Sequence, residues 1–470
     1  MRSGRTWVVL FLLSTPLVTT RIYASDEIQW FSFLRSVWFD RDLNFDNEYR
    51  YLEAHGAAAG SNFHETFLES ATVTGYRENF GTIGCAILWA PFYAVGDIIA
   101  RLLHAAGRDV AVDGYSQPYV AAVCYGSAFY GFMALVLSGR IARRLVGDSR
   151  AATAAVWIGT PLFFYMYLSP VMAHACSAFA VSLFLMAWLH ARERWSTSGL
   201  IALGAAAGLM VMVREQDLFF VGGPALDFLV TLVSRLRQPS AARPRVAPLL
   251  VAAGAGAITA AVVYLPQVFT YLAINGHVGP SDHVKQKMAW HSPHALSVVF
   301  DTEHGLVFWT PLVLIAFAGL LLLALGRTAA IGERPDTRRV AWLMLLMVAL
   351  QIYVTGVVKS WTLEGAFGQR RFVSLTPVLI VGLAAMFDLA RRSSLTLRRS
   401  LAAVVVLCIW WNLGLTVAFG THQMDRKRLD LKENAWTTFV YLPTHAPALA
   451  WRYLTNRKSF YGLPRTSGPR

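Results

Sequence analysis

Eleven apolar stretches, each close to the ~20 residues an α-helix needs to cross ~30 Å of hydrocarbon, constrain this chain more than any other feature. They cover 6–24, 117–139, 151–168, 171–190, 198–213, 217–234, 247–272, 306–326, 340–358, 372–390 and 401–420. The expected fold is an all-α polytopic membrane protein. With 15% charged residues against roughly 25% in soluble domains, no polar segment before residue 421 is long enough to build a separate core. One membrane domain, 1–420, is expected, with a first outer loop over 25–117 carrying juxtamembrane helices, followed by a basic tail at 421–470.

A twelfth apolar run, Thr82 to Leu103, decides the orientation of everything after it. If it does not cross, the loops on one side hold Arg2 and Arg5; Arg140, Arg143, Arg144 and Arg150; Arg192 and Arg194; Arg235, Arg237, Arg243 and Arg245; Arg327, Arg334, Arg338 and Arg339; and Arg391, Arg392, Arg398 and Arg399. The short loops opposite hold Arg214, Lys285, Lys287, Lys359, Arg370 and Arg371. That asymmetry satisfies the positive-inside rule, with the N-terminus cytoplasmic. A crossing at Thr82 to Leu103 would reverse it, so the run is read as juxtamembrane or re-entrant, in keeping with Pro91, Gly96 and Asp97 inside it. The first stretch also has the make-up of a signal peptide, and either way Asp26 emerges on the outer side.

The net charge of +14 lies in small clusters between apolar runs and forms no basic stripe, zinc motif or RNP motif, which speaks against a nucleic-acid partner. Cys85, Cys124, Cys176 and Cys408 sit in apolar runs without CxxC spacing. No Walker or GxGxxG loop is present. Acidic residues gather in the first outer loop, whereas only Asp227 and Asp388 fall inside the eleven runs beyond Asp217 at the edge of one, so the chemistry is placed at the outer interface.

Asp26 and Glu27 follow the first run directly and precede IQWFSFLRSVWF, whose apolar spacing predicts an amphipathic helix on the membrane with Gln29, Ser32, Arg35 and Ser36 on its polar side. A carboxylate pair there is placed to serve as general base on a hydroxyl or amine, as well as to end a span. The segments SDEIQWFSFLRSVWFDRDLNFDNEY, GTIGCAILWAPF, SPVMAHACSAF, MVREQDLFF, EHGLVFWTP and WTLEGAFGQRRFVSLTP occur in order over most of the first 380 residues. In this ordered set the chain resembles the type C glycosyltransferases that use lipid-linked sugars, the superfamily of protein O-mannosyltransferases, lipid A aminoarabinose transferases and lipid A galacturonosyltransferases. The resemblance implies an inverting transfer from a polyprenyl-phosphate sugar to a protein or glycolipid acceptor at the outer face of a bacterial inner membrane, in contact with the bilayer. It implies Asp26 as base, with Glu27 assisting or orienting it. Where several relatives carry Lys-Pro-Pro, this chain has Glu78-Asn79-Phe80-Gly81.

A lipid phosphate leaving group needs donors, and arginine binds phosphate with two parallel hydrogen bonds. Arg370 and Arg371 are the first candidates, and the same placement suits snorkelling anchors. Arg214, in VREQD, is either a phosphate ligand or a turn residue paired with Glu215 or Asp217. His304 is a further candidate at the same level, and His174 reads as a core histidine. The loop 275–305 gathers His277, Asp282, His283, His291, His294, Asp301, Glu303 and His304 without HExxH or fixed i, i+4 spacing, so no metal or other cofactor is expected. The competing function is a transporter or flippase for a cell-envelope precursor, which should show internal repeats and broken helices with polar sites at mid-membrane.

Overall fold

The computed structural model describes residues 2–59, 61–238, 246–328, 336–362 and 365–461, and Arg243, Arg245, Arg334, Glu364 and 462–470 lie outside the described residues. Among the described residues the chain is helical, with turns and no β-strand. Eight helices are long and apolar enough to cross a membrane: Gly84–Ala105, Gln117–Leu145, His174–Ala191, Glu215–Leu236, Val246–Asn275, Thr337–Val357, Arg370–Arg391 and Leu395–Gly420. Three shorter apolar helices are Arg5–Leu17, Thr197–Val213 and Leu312–Ala324. The run expected as one span at 151–168 is divided into Arg150–Ile158 and Pro161–Tyr167, because Pro161 cannot continue the first helix and starts the second.

The chain forms two compact units, one of Val18–Phe132 and Tyr165–Met288, the other of Met1–Leu17, Met133–Phe164 and Ala289–Arg470. In the first, helices Thr197–Val213 and Val246–Asn275 run parallel at backbone contact. A Cβ on Gly204 would lie 2.0 Å from the Gly256 carbonyl oxygen, and one on Gly208 2.6 Å from that of Ala260. Small residues permit this approach, which gains dispersion and backbone contact where lipid offers no hydrophobic drive. From that pairing, Val246–Asn275 continues about three turns beyond Val213. Those turns form a wall beside the first outer loop, where the Thr74 hydroxyl donates to the Ile274 carbonyl at 2.6 Å.

Thr82 to Leu103, expected to be juxtamembrane or re-entrant, lies in a single unbroken helix, Gly84–Ala105, which by length and composition alone is also long and apolar enough to cross. It lies antiparallel to the first half of Gln117–Leu145. Gly96 meets the Pro118 carbonyl, the Tyr119 hydroxyl donates to Asp97 at 2.6 Å, and Tyr130 donates to the Leu88 carbonyl at 2.9 Å. The last of these ties the two helices together one turn before Pro91.

The amphipathic reading of the next segment needs correction. Helix Ser25–Arg35 forms, but Gln29, Ser32 and Ser36 are buried, not solvated. Ser32 donates to the Ile28 carbonyl, Ser36 to Asp42, and Gln29 holds the Phe80 amide. Each polar side chain has an internal partner, so the 3.6-residue pattern marks a helix packed on both faces within the outer loop.

In the second unit, helices Leu312–Ala324 and Arg370–Arg391 meet at Gly319 and Gly382, where an added Cβ at either would come within 2.0 Å of a backbone oxygen. Residues 421–461 are folded onto this unit instead of trailing from it. Trp410 donates to the Thr438 carbonyl, Leu429 N–H to Thr302, and Tyr453 to the Leu17 carbonyl.

Candidate active site

The N-terminus of helix Ser25–Arg35 is built by its own sequence. Ala24 is extended, and Glu27 at the third helical position accepts from the Tyr23 and Ala24 amides at 2.9 and 3.2 Å, two donors that a helix start otherwise leaves orphaned. The other Glu27 oxygen accepts from Ser169 at 2.6 Å. Glu27 is fully buried, and burial pushes its carboxyl up to about 7 against these three donors. Asp26 precedes it in the first turn and is half-buried. Of the predicted carboxylate pair, then, one is a buried cap and the other is the partly accessible group.

Glu78 to Ile83 lies along the same helix and connects it to the end of Thr197–Val213 and to the last turns of Val246–Asn275. Asn79 donates to the Gln29 carbonyl at 2.9 Å and Phe80 N–H to the Gln29 side chain at 2.8 Å. Gly81 lies against the Trp30 indole, where a Cβ would sit 2.9 Å from the ring. Trp30 is one turn after Asp26 on the same helix face. Thr82 then donates to the Val213 carbonyl at 2.8 Å, and Ile83 N–H to Gln267 at 2.9 Å. Above this segment, His283 approaches Glu78 at 3.4 Å and the Lys287 ammonium lies 4.7 Å from the centre of the Phe80 ring.

Arg214 ends helix Thr197–Val213 in an extended conformation and donates to Gln216 at 2.8 Å. Glu215 accepts from Tyr264 at 2.8 Å, and Asp217 from Ser177 at 2.5 Å. Asp26, Glu27 and Arg214 thus belong to one unit, linked through residues 79–83. His304, Arg370 and Arg371 belong to the other.

In that second unit His304 is fully buried, its two ring nitrogens 2.7 and 3.1 Å from the carbonyls of Glu303 and Ala366. Gln369 donates to the His304 carbonyl and Trp309 to that of Glu303. Burial, then the charge of Arg370, push the imidazole down to about 3, so it is neutral and donates from one nitrogen. This is the setting of a structural staple. Arg370 and Arg371 open the helix that continues to Arg391 and are half-buried, with Arg371 reaching the Ser360 carbonyl at 3.5 Å. His174 is buried and edge-on to Tyr165 at 4.5 Å between ring centres.

Three groups beside the site were missed in the sequence: Tyr264, Gln267 and Tyr271. Their spacing of i, i+3 and i+7 inside an otherwise apolar run puts them on one helix face, and that was the available signal. Among the described residues, no group of three His, Cys, Asp or Glu side chains is arranged to hold a metal.

No family model matches the chain, and no curated protein matches it. Among solved structures, the chain is similar to the crystal structure of ArnT from Cupriavidus metallidurans in the apo state, with 14% identity over 97% of this chain and 78% of that one, at a TM-score of 0.49.

Proposed function

We propose that the chain is a membrane glycosyltransferase that moves a sugar from a polyprenyl-phosphate donor to a hydroxyl or amine acceptor, with inversion at the anomeric carbon. The observation that carries this reading is the setting of Asp26: a half-buried carboxylate in the first turn of a helix whose start is fixed by the buried Glu27 and Ser169. The ordered sequence segments that resemble the type C glycosyltransferases supply the reaction.

In the transfer, the acceptor oxygen or nitrogen attacks the anomeric carbon from the face opposite the phosphate. The carbon–oxygen bond to phosphate breaks and its electron pair leaves with the polyprenyl phosphate. The acceptor proton passes to the Asp26 carboxylate. Arg214, at the end of its helix, offers a guanidinium suited to the charge that develops on the phosphate. Glu27 positions Asp26 and does not meet the substrate. The donor, the acceptor and the placement of this chemistry on the non-cytoplasmic face of an inner membrane belong to the proposal.

Asp26→Asn keeps the shape of the side chain and removes its capacity to take a proton. General-base catalysis contributes about 10²–10⁴-fold, so transfer of radiolabelled sugar from a polyprenyl-phosphate donor should fall by that order while the variant inserts and folds normally. Full activity in Asp26→Asn would remove the base from this position.

A further inference from the structure

Two buried donors flank Gly81–Ile83 without a hydrogen bond of ordinary geometry among the described residues. One is the indole N–H of Trp30, against whose ring Gly81 packs so closely that a Cβ there would lie 2.9 Å from it. The other is the amide nitrogen of Gln267, a side chain with 0% exposure whose oxygen is already committed to the Ile83 amide. Buried donors without partners are rare enough in native proteins that each calls for an explanation, and an unseen ligand is one. Next to Gln267 on the same helix face stand Tyr264, which donates to Glu215, and Tyr271, which faces both Glu215 and Gln267.

The geometry points to Trp30, Glu215, Tyr264, Gln267 and Tyr271 as a subsite for the sugar ring of the donor, an assignment that rests on the glycosyltransferase reading above. A pyranose presents hydroxyl groups around its edge, each both donor and acceptor, and C–H groups on its faces. Glu215 accepts from hydroxyls, the amide of Gln267 and the indole of Trp30 donate to them, and the tyrosine rings suit the C–H faces. The carboxylate decides against the alternative that these N–H groups hold the phosphate itself, because an anion beside Glu215 would be repelled. Phosphate is left to the neighbouring Arg214, and the ring lies toward the helix that carries Asp26.

The test compares binding of undecaprenyl phosphate with that of undecaprenyl-phosphate glucose, mannose and arabinose, using purified full-length protein in detergent and native mass spectrometry. The wild type should hold at least one lipid-linked sugar more tightly than the bare phosphate. Glu215→Gln, which can still accept from Tyr264, should reduce that preference by about 10-fold or more, the loss expected when a charged acceptor becomes neutral, without lowering the affinity for undecaprenyl phosphate itself. Tyr264→Phe, which removes one hydroxyl, should reduce the preference in the same direction and to a lesser degree. A wild-type preference that survives in both variants overturns the assignment, as does a loss of affinity for the bare phosphate of equal size. A wild type that binds neither class of lipid overturns the glycosyltransferase reading instead.

Discussion

Glu27 shows how a residue can be found in the sequence while the groups that hold it stay hidden. Its adjacency to Asp26 was visible, but the backbone amides of Tyr23 and Ala24 and the distant Ser169 hydroxyl that occupy it were not. Its burial has a consequence for stability. With its carboxyl raised from the ordinary 4.5 to about 7, the folded chain keeps a proton that the unfolded chain has released between those values. Stability is therefore favoured below pH 4.5, falls as pH rises toward 7 and levels off above. Glu48 is buried too and is likewise raised to about 7, so it adds to the same slope. Glu27→Gln should flatten, without abolishing, the pH dependence of the thermal midpoint across that window. Identical slopes in the two proteins would mean that Glu27 ionises freely. Gln267 teaches a related lesson: a lone amide in an apolar run is expensive in lipid, so it needed a partner, but only the fold reveals the partner to be Ile83.

Among the elements, helix Gly84–Ala105 is the one whose existence was legible and whose setting was not. Hydropathy marked it, and arginine counting assigned it to one side, but neither shows that it begins at backbone contact with Met212 and Val213. Gly84 permits that start, since a Cβ there would lie 2.4 Å from the Met212 carbonyl oxygen. Gly84→Ala should force the strands of backbone apart, cost about 1–3 kcal/mol as overpacking commonly does, and lower transfer activity by disturbing Thr82 and Ile83. A variant with unchanged thermal midpoint and activity would show that this contact is loose. Helix Ser25–Arg35 failed in the opposite sense. Its period was right, but a periodic pattern does not distinguish a polar face open to water from one closed by Asn79, Phe80 and Asp42.

At the scale of the whole molecule, apolar runs and arginine clusters foretold an all-α fold with many membrane helices, and the eight long and three shorter apolar helices agree with that class. The two-unit grouping was not foretold, because both units are assembled from segments far apart in the chain. The arginine asymmetry, which keeps helix Gly84–Ala105 on the outer side, makes a direct prediction about sidedness. Cysteines placed singly at Asn62 and Arg143, both exposed, should react with a membrane-impermeant maleimide from opposite sides, the first from outside intact cells and the second only after the membrane is opened. All four native cysteines are buried, so the background should be low. Labelling of position 143 from outside would invert the topology.

The hydrogen bonds that frame Asp26 also set a schedule for biosynthesis. Ser169 reaches Glu27 across 142 residues, Val213 reaches Thr82 across 131, Gln267 reaches Ile83 across 184, and Ile274 reaches Thr74 across 200. The helix bearing the carboxylate leaves the ribosome early and can pack at once on Asp42, Asn79 and Phe80, but the frame around it is complete only when the chain has been extended past residue 274. At about 5–20 residues per second, several successive helices must be inserted before the last of these partners arrives. During that interval the nascent chain carries its acid on a loop whose support is incomplete, and a polypeptide stopped short of Ile274 would be made and inserted with that frame unfinished.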